Sequence, residues 1–246
     1  MSLTTDPLFR VELLTCTPNP QTAFYQALHQ DYSSSFVADA TPPSESEAGK
    51  ICVNRLLSGK RNHWGPLEHA MITLNAGWFP HSVMVQARTH RIGTSMDCQS
   101  MRYTSGAIIK AANAESPYLE VEQAFYLRQP GDYTDRQGAR YTYTAEQRAE
   151  DLQYCWLAAK RYASKIDQGW AEEHARGLLP SDYRQHFVFS FSLRAILHFF
   201  DMRSKLDAQS EIRQLCDLMW PHVELWVPEI AAFYRKNNWG KALLSP

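Results

Sequence analysis

Ala70-Met71-Ile72-Thr73-Leu74-Asn75-Ala76-Gly77-Trp78 alternates in character along its whole length. Ala70, Ile72, Leu74, Ala76 and Trp78 fall on one side and Thr73 and Asn75 on the other, the period of a half-buried strand. Just downstream, Ser82 to Arg88 alternates too. Val83, Val85 and Ala87 oppose Met84, Gln86 and Arg88, which predicts a second strand with a polar pair at its end. Tyr118 to Leu127, with Leu119, Val121, Phe125 and Leu127 in phase, predicts a third.

Outward from these strands the period changes to that of helices. Pro20 to Tyr32 carries Phe24, Ala27 and Leu28 at helical spacing, and the loop Thr41 to Glu47 (TPPSESE) leads into a short helix over Glu45 to Gly59. The longest helix begins at Thr144, where Thr144 and Gln147 have capping-box spacing. Leu152, Cys155, Trp156, Ala159, Ala163 and Ile166 form its apolar face, and Gly169 ends it. A short turn, Ala171 to Arg176, stops at Gly177. A helix over Phe191 to Arg203 follows, then a stripe of Ile212, Leu215, Cys216 and Met219, and Pro221 is expected to start a final helix. Strands and helices do not alternate regularly, so the expectation is α+β: a largely antiparallel sheet flanked by long helices, one domain over residues 1–246.

Composition narrows the function. The chain has 246 residues, 44% hydrophobic and 21% charged, enough to bury a core. A formal net charge of −1 provides no global field to attract nucleic acid or a membrane surface. No apolar run reaches the ~18–20 residues of a membrane span. Met1 to Arg10 does not resemble a signal peptide. Five scattered cysteines without a C-x-x-C pair fit a reducing cytoplasm. With only 11 glycines and neither glycine-rich phosphate motif, any dinucleotide must be held without a Rossmann turn.

The densest polar stretch is Gln86-Ala87-Arg88-Thr89-His90-Arg91, followed by Ser100-Met101-Arg102-Tyr103. Guanidinium forks grip phosphate bidentately and hydroxyls complete the cradle, so this loop reads as anion recognition; the bland alternative is a solvated, charged loop. On the helix ending at Arg203, residues Arg194, His198 and Asp201 lie within roughly 60° of one another at 100° per residue. Arg203 points the other way, among Leu193, Ile196, Phe199 and Phe200, where a cation must snorkel or meet an anion. It also stands where it can favour a helix C-terminus, as does Arg176. Cys98 fits a small, partly buried residue better than an activated thiol. His63, Glu68 and His69 have the chemistry of metal ligands, but Gly65-Pro66 prevents a regular helix there, and no metal is expected.

These residues resemble the flavin-dependent thymidylate synthases, whose signature is Arg-His-Arg, about seven residues, then Ser-x-Arg-Tyr, preceded by glutamine. Gln86, His90, Arg91, Ser100, Arg102 and Tyr103 stand in that order. His63-Trp64-Gly65-Pro66-Leu67-Glu68-His69 resembles the family's His-x-[ST]-Pro-[FL]-Glu-His segment. Arg176-x-x-Leu179-Pro180, Arg194-x-x-x-His198-Phe199-x-x-x-Arg203 and Ala208-Gln209-x-Glu211-Ile212 resemble its later blocks. The chain departs from the pattern in places. Thr89 replaces the first arginine, with Arg88 one place earlier. Eight residues separate Arg91 from Ser100, and Asp97-Cys98 replaces Asn-Glu. Gly65 stands for a hydroxyl, Ser192 and His198 for asparagines, and Asp207 for histidine.

The resemblance implies reductive methylation of dUMP to dTMP. The carbon comes from 5,10-methylenetetrahydrofolate, FAD and NADPH supply the hydride, and no enzyme nucleophile is needed. It implies FAD contacts for His63, Arg88, Thr89, His90, Arg91, Cys98, Ser192, Arg194 and His198. It implies dUMP contacts for Gln86, Cys98, Gln99, Ser100, Met101, Arg102, Arg176 and Arg203, with Arg203 as the catalytic group that polarises the uracil. A structural histidine is the other reading of His63. The resemblance also implies a homotetramer with shared sites. Two rivals from other classes are a metal-dependent nucleotide phosphohydrolase and a non-catalytic nucleotide- or RNA-binding module.

Overall fold

The computed structural model describes residues 5–58, 63–115, 118–135 and 137–241. Its main sheet runs in the order β1 (Arg10–Cys16), β2 (Met71–Pro80), β6 (Arg184–Ser192), β3 (Thr94–Cys98), every neighbouring pair antiparallel. A separate hairpin joins β4 (Gly131–Thr134) to β5 (Arg140–Tyr143). The helices are α1 (Pro20–Gln30), α2 (Glu45–Cys52), α3 (His81–Ala87), α4 (Gly106–Ala112), α5 (Tyr118–Ala124), α6 (Ala145–Asp167), α7 (Glu172–Ala175), α8 (Leu193–Arg203), α9 (Ser210–Trp226) and α10 (Pro228–Asn237). The fold is α+β, as the mixed periodicities predict, and no helix among the described residues is long and apolar enough to cross a membrane.

The strand at Ala70 holds with one change of phase. Ile72, Leu74 and Ala76 are buried against Phe187, Phe189 and Phe191 of β6, each phenyl ring contributing about 2–3 kcal/mol of transfer free energy. Between Ala76 and Phe79 the register slips at a bulge where Trp78 takes φ 64°. Phe79 therefore faces the core, and Trp78 turns to the opposite face, edge-on to His186 at 4.6 Å. Thr73 stays on that polar face, its Oγ1 2.8 Å from Ser190 Oγ.

Two predicted strands are helices. Within α3, Val83, Met84 and Ala87 are buried while Val85 is 49% exposed. Within α5, Val121 and Ala124 are buried, and Leu119 is 72% exposed. Seven residues span so few turns that period 2 and period 3.6 select overlapping sets, and tertiary packing made the choice. Phe191 belongs to β6, not to the following helix. Ser192 is the N-cap of α8, its Oγ accepting from Ala195 N at 3.3 Å. Pro221 does not begin the last helix. Buried Met219, Trp220, Val223 and Trp226 carry α9 through it, and Pro228 at the first turn of α10 makes the new start. The long helix α6 begins with both bonds of the Thr144–Gln147 capping box. The helix over Glu45 to Gly59 is α2 plus a π turn, Val53–Leu57; Gly59 is outside the described residues.

The described residues form two apolar cores. The first lies between the sheet and α8, α9 and α10. The second joins Met101, α4, α5, α6 and Ala175 of α7. Arg184 sits close to the junction, paired with Asp6 at 2.9 Å with both side chains nearly inaccessible, and it donates to the carbonyls of Glu122 and Trp78. This frame sets the two ends of the sheet from which the polar loops depart.

Candidate active site

Strand β2 ends at Pro80 and α3 starts at His81, so the chain turns back along the sheet and delivers the 86–91 loop to the C-terminal end of α8. There Arg203 Nε donates to His90 Nε2 at 3.0 Å, and Nη2 donates to Thr89 Oγ1 at 3.0 Å and to Gln86 O at 3.4 Å. The Thr89 hydroxyl donates to Gln86 O at 2.7 Å. The Gln86 side-chain amide donates to Gln209 Oε1 at the start of α9, and Gln209 lies 3.5 Å from Ser82 Oγ. Arg203 thus meets neutral acceptors; among the described residues no carboxylate pairs with it. Burial lowers its pKa from the usual arginine value.

His90 has its imidazole edge-on to His198 at 5.7 Å and to Phe199 at 4.9 Å. Burial, then the charges of Arg203 and His198, pushes its pKa down to about 4. Neutral, with Nε2 accepting from Arg203, it carries its proton on Nδ1. One turn before His198, Arg194 pairs with Glu68 at 2.6 Å, both side chains well exposed. The expected polar stripe therefore holds for Arg194 and His198 but not for Asp201. Asp201 is buried, with Tyr234 OH 2.6 Å from its Oδ1, because α10 packs over that end of the helix. Arg88 and Arg91 are exposed, and their side chains make no hydrogen bond or ion pair among the described residues.

His63 lies beyond Glu68. Its Nε2 is 2.6 Å from Asp31 Oδ2, and it borders a cavity of about 420 Å³ lined also by Tyr25, His29, Tyr32 and Arg55. Asp31, the partner of His63, had no distinguishing signal in the sequence. Among the described residues no three His, Cys, Asp or Glu side chains are grouped to hold an ion.

The remaining candidates sit at the other end of β3. Gln99 is built into the sheet edge: its Oε1 accepts from His186 N at 3.0 Å, and its carbonyl accepts from the buried Gln185 at 3.1 Å. Ser100 opens a turn in which its carbonyl accepts from Tyr103 N and Thr104 N. Met101 buries its side chain in the second core. Arg102 is exposed, 3.4 Å from Glu173. Cys98 packs against the first core opposite Phe187, as a small half-buried residue does. Arg176 is close enough to Tyr183 for its charge to oppose the rise that burial gives the phenol, and Cys98 acts on the same phenol. Tyr183 also stacks on His81 at 4.8 Å. His81, Tyr183 and Gln185 were not singled out in the sequence. Gln185 alternates with Phe187, Phe189 and Phe191, a period-2 signal that marks β6 itself.

Two groups thus emerge, one around Arg203 that contacts hold together and one around Arg102 and Arg176. No hydrogen bond or ion pair among the described residues joins them. Arg88 and Arg91, whose guanidinium groups have no partner among the described residues, are donors of the kind a phosphate group takes, and the His90–His198 edge and the His63 cavity offer aromatic surface.

An α+β sheet whose loops carry exposed and half-buried arginines beside histidines defines a class, that of a protein equipped to take an anionic ligand, and comparison narrows it. The family model described as "Thymidylate synthase complementing protein" matches residues 12–229. The chain belongs to this family, the flavin-dependent thymidylate synthases. It is 27% identical to the flavin-dependent thymidylate synthase of Haloarcula marismortui, over 94% of this chain and 97% of that protein. It is 29% identical to the one of Halobacterium salinarum, over 93% and 98%. Among solved structures it resembles the UMP/dUMP methylase PolB of Streptomyces cacaoi, bound with 5-Br dUMP, at TM-score 0.74 and 20% identity, covering 97% and 98% of the two chains. It also resembles ThyX of Helicobacter pylori, determined with FAD and dUMP, at TM-score 0.66 and 15% identity, covering 90% and 99%.

Proposed function

We propose that the protein forms dTMP by reductive methylation of dUMP, with 5,10-methylenetetrahydrofolate as carbon donor and FAD and NADPH as hydride source, as a single domain spanning the chain. The observation that carries this reading is Arg203: a half-buried guanidinium facing neutral acceptors only. A cation drawn out of water without a carboxylate partner is poised for an oxygen on which negative charge develops. In this reading that oxygen is a uracil carbonyl.

FAD, when bound, supplies hydride chemistry that no side chain can. The chain's own residues bind and orient. Arg88, Arg91, Arg194, His198 and His63 would hold FAD, with Thr89, His90, Cys98 and Ser192 bordering it. Gln86 and Arg203 would hold the uracil and sugar. Arg102, Ser100 and Arg176 would take the phosphate, with Gln99, Met101 and Cys98 supplying the backbone between. Because no hydrogen bond or ion pair among the described residues joins the Arg102 group to the Arg203 group, the reading includes a homotetramer in which one site draws on more than one chain. The free cysteines suit a reducing cytoplasm.

The test is the visible spectrum of the purified protein with and without dUMP, followed by a dTMP assay with folate donor and NADPH. A flavin band perturbed by dUMP, with folate-dependent dTMP formation, is expected. A colourless protein that releases phosphate and is stopped by EDTA would support a phosphohydrolase. A colourless protein whose nucleic-acid binding falls steeply with salt would support a binding module.

A further inference from the structure

We infer that Thr89 is a positioning residue for Arg203: its hydroxyl sets the plane of the guanidinium so that Nη1, and not Nη2, faces the substrate. This rests on the reading above for the identity of the substrate, but the coupling of Thr89 to Arg203 stands on contacts within the chain.

The geometry is one of constraint counting. The bond from Arg203 Nε to His90 Nε2, 3.0 Å, fixes one point of a planar group and leaves it free to turn about that line. Two acceptors meet Nη2 and oppose the remaining rotation: Thr89 Oγ1, the closer at 3.0 Å, and at 3.4 Å Gln86 O, the carbonyl that the Thr89 hydroxyl itself engages. The hydroxyl is itself locked, since its one proton goes to Gln86 O at 2.7 Å and its lone pairs are left for the guanidinium. Nε and Nη2 are therefore occupied by the 86–90 loop, and Nη1, with two N–H donors, has no partner among the described residues. A donor-only nitrogen recognises acceptor oxygens, such as uracil carbonyls. Thr89 stands where the related motif carries arginine, which has no acceptor to offer and cannot make this bond.

The substitutions that isolate the hydroxyl are Thr89→Val, which keeps the shape and loses the acceptor, and Thr89→Ser, which keeps it. In ligand-free protein, phenylglyoxal modification of Arg203, followed by peptide mass, reads how firmly the guanidinium is held. Thr89→Val is expected to raise that rate several-fold, and Thr89→Ser to leave it near the wild-type rate. Calorimetric affinity for dUMP should fall about tenfold in Thr89→Val, the scale of one hydrogen bond to a charged group, and recover in Thr89→Ser at an unchanged melting temperature. Equal modification rates in all three proteins overturn the inference. So does a Thr89→Val loss that serine does not rescue, or one matched by a loss of thermal stability. A wild-type protein that does not bind dUMP overturns the functional reading instead, while the modification rates still decide whether Thr89 holds Arg203.

Discussion

The two polar groups are built on opposite plans. Around Arg203, four segments (Ser82, residues 86–90, the end of α8 and Gln209) close on one another through hydrogen bonds, and the guanidinium is half-buried. Around Arg102, the backbone is fixed by the sheet edge and a tight turn, but the cations stand in solvent; Arg102 has only an exposed, long contact to Glu173. Donors that must stabilise charge developing on a ring lose least when held rigid and dry. Donors that grip a phosphate, which arrives already charged, can pay for ordering as the ligand binds. In the proposed reading, the first group serves the chemistry and the second the capture of the phosphate.

The largest expected effect follows from that division. Arg203→Ala should lower dTMP turnover by about 100-fold or more, the scale of losing an aimed donor in a desolvated site, while flavin content measured by absorbance stays at the wild-type level. Substantial retained turnover would refute the assignment. Arg102→Ala should act on binding instead, raising the dUMP Kd about tenfold with a smaller effect on turnover at saturating dUMP. If the two groups meet across chains, mixing the Arg203→Ala and Arg102→Ala proteins under conditions of subunit exchange, assayed at dUMP well below the Kd of Arg102→Ala, should give more activity than the average of the two measured alone. Mixtures that show only that average would place both groups of a site in one chain.

The halves of this comparison were unequally legible in the sequence. Gln86, His90 and Arg102 stand out because polar and cationic residues crowd one stretch, Arg176 because it belongs to a block of the resemblance, and Arg203 because a guanidinium on an apolar helix face needs a reason. The Asn75 strand was legible because its alternation is long enough to exclude a helix. Residues 82–88 were not, because Val83, Met84 and Ala87 satisfy a seven-residue helix as well as Val83, Val85 and Ala87 satisfy a strand. What no spacing reveals is partnership across the fold: Arg203 with Thr89 and His90, Gln86 with Gln209, His63 with Asp31. Each pair is more than 30 positions apart in the chain, and only the packing of α3 and α8 against the same sheet brings the first two together. Gln209 had been noticed as part of a block, but its amide had no stated role until it met Gln86.

Acid separates the groups more gently. His90 has its pKa lowered from 6.5 to about 4 in the folded chain, by burial first and then by Arg203 and His198. The unfolded chain therefore takes up the proton more readily. This group costs nothing above its unfolded value, and stability falls as pH drops from 6.5 towards 4, below which its contribution no longer changes. Melting temperatures of wild type and His90→Asn, measured from pH 8 to pH 4, should diverge in that interval, with the wild type losing more. Parallel curves would mean that His90 is not held neutral.

The smallest expected effect lies at the rim of the first group, in the pair between Arg194 and Glu68. Its 2.6 Å separation is short, yet the two side chains are 42% and 44% exposed, so water and salt screen the attraction. Glu68→Gln should therefore change folding stability by at most about 1 kcal/mol, the range of exposed pairs, and less at high salt. Its effect on ligand binding has the opposite sign in the proposed reading. With the Glu68 carboxylate gone, the charge of Arg194 beside His198 is no longer offset, and affinity for an anionic dinucleotide should rise slightly at low ionic strength, by a factor that vanishes as salt is added. Flavin dissociation constants for Glu68→Gln, Arg194→Gln and the double variant test this. Non-additive effects would show the pair acting as one unit at the cofactor. Strict additivity, with flavin binding unmoved by either change, would leave Arg194 as a surface charge and confine the working part of the first group to Gln86, Thr89, His90, His198 and Arg203.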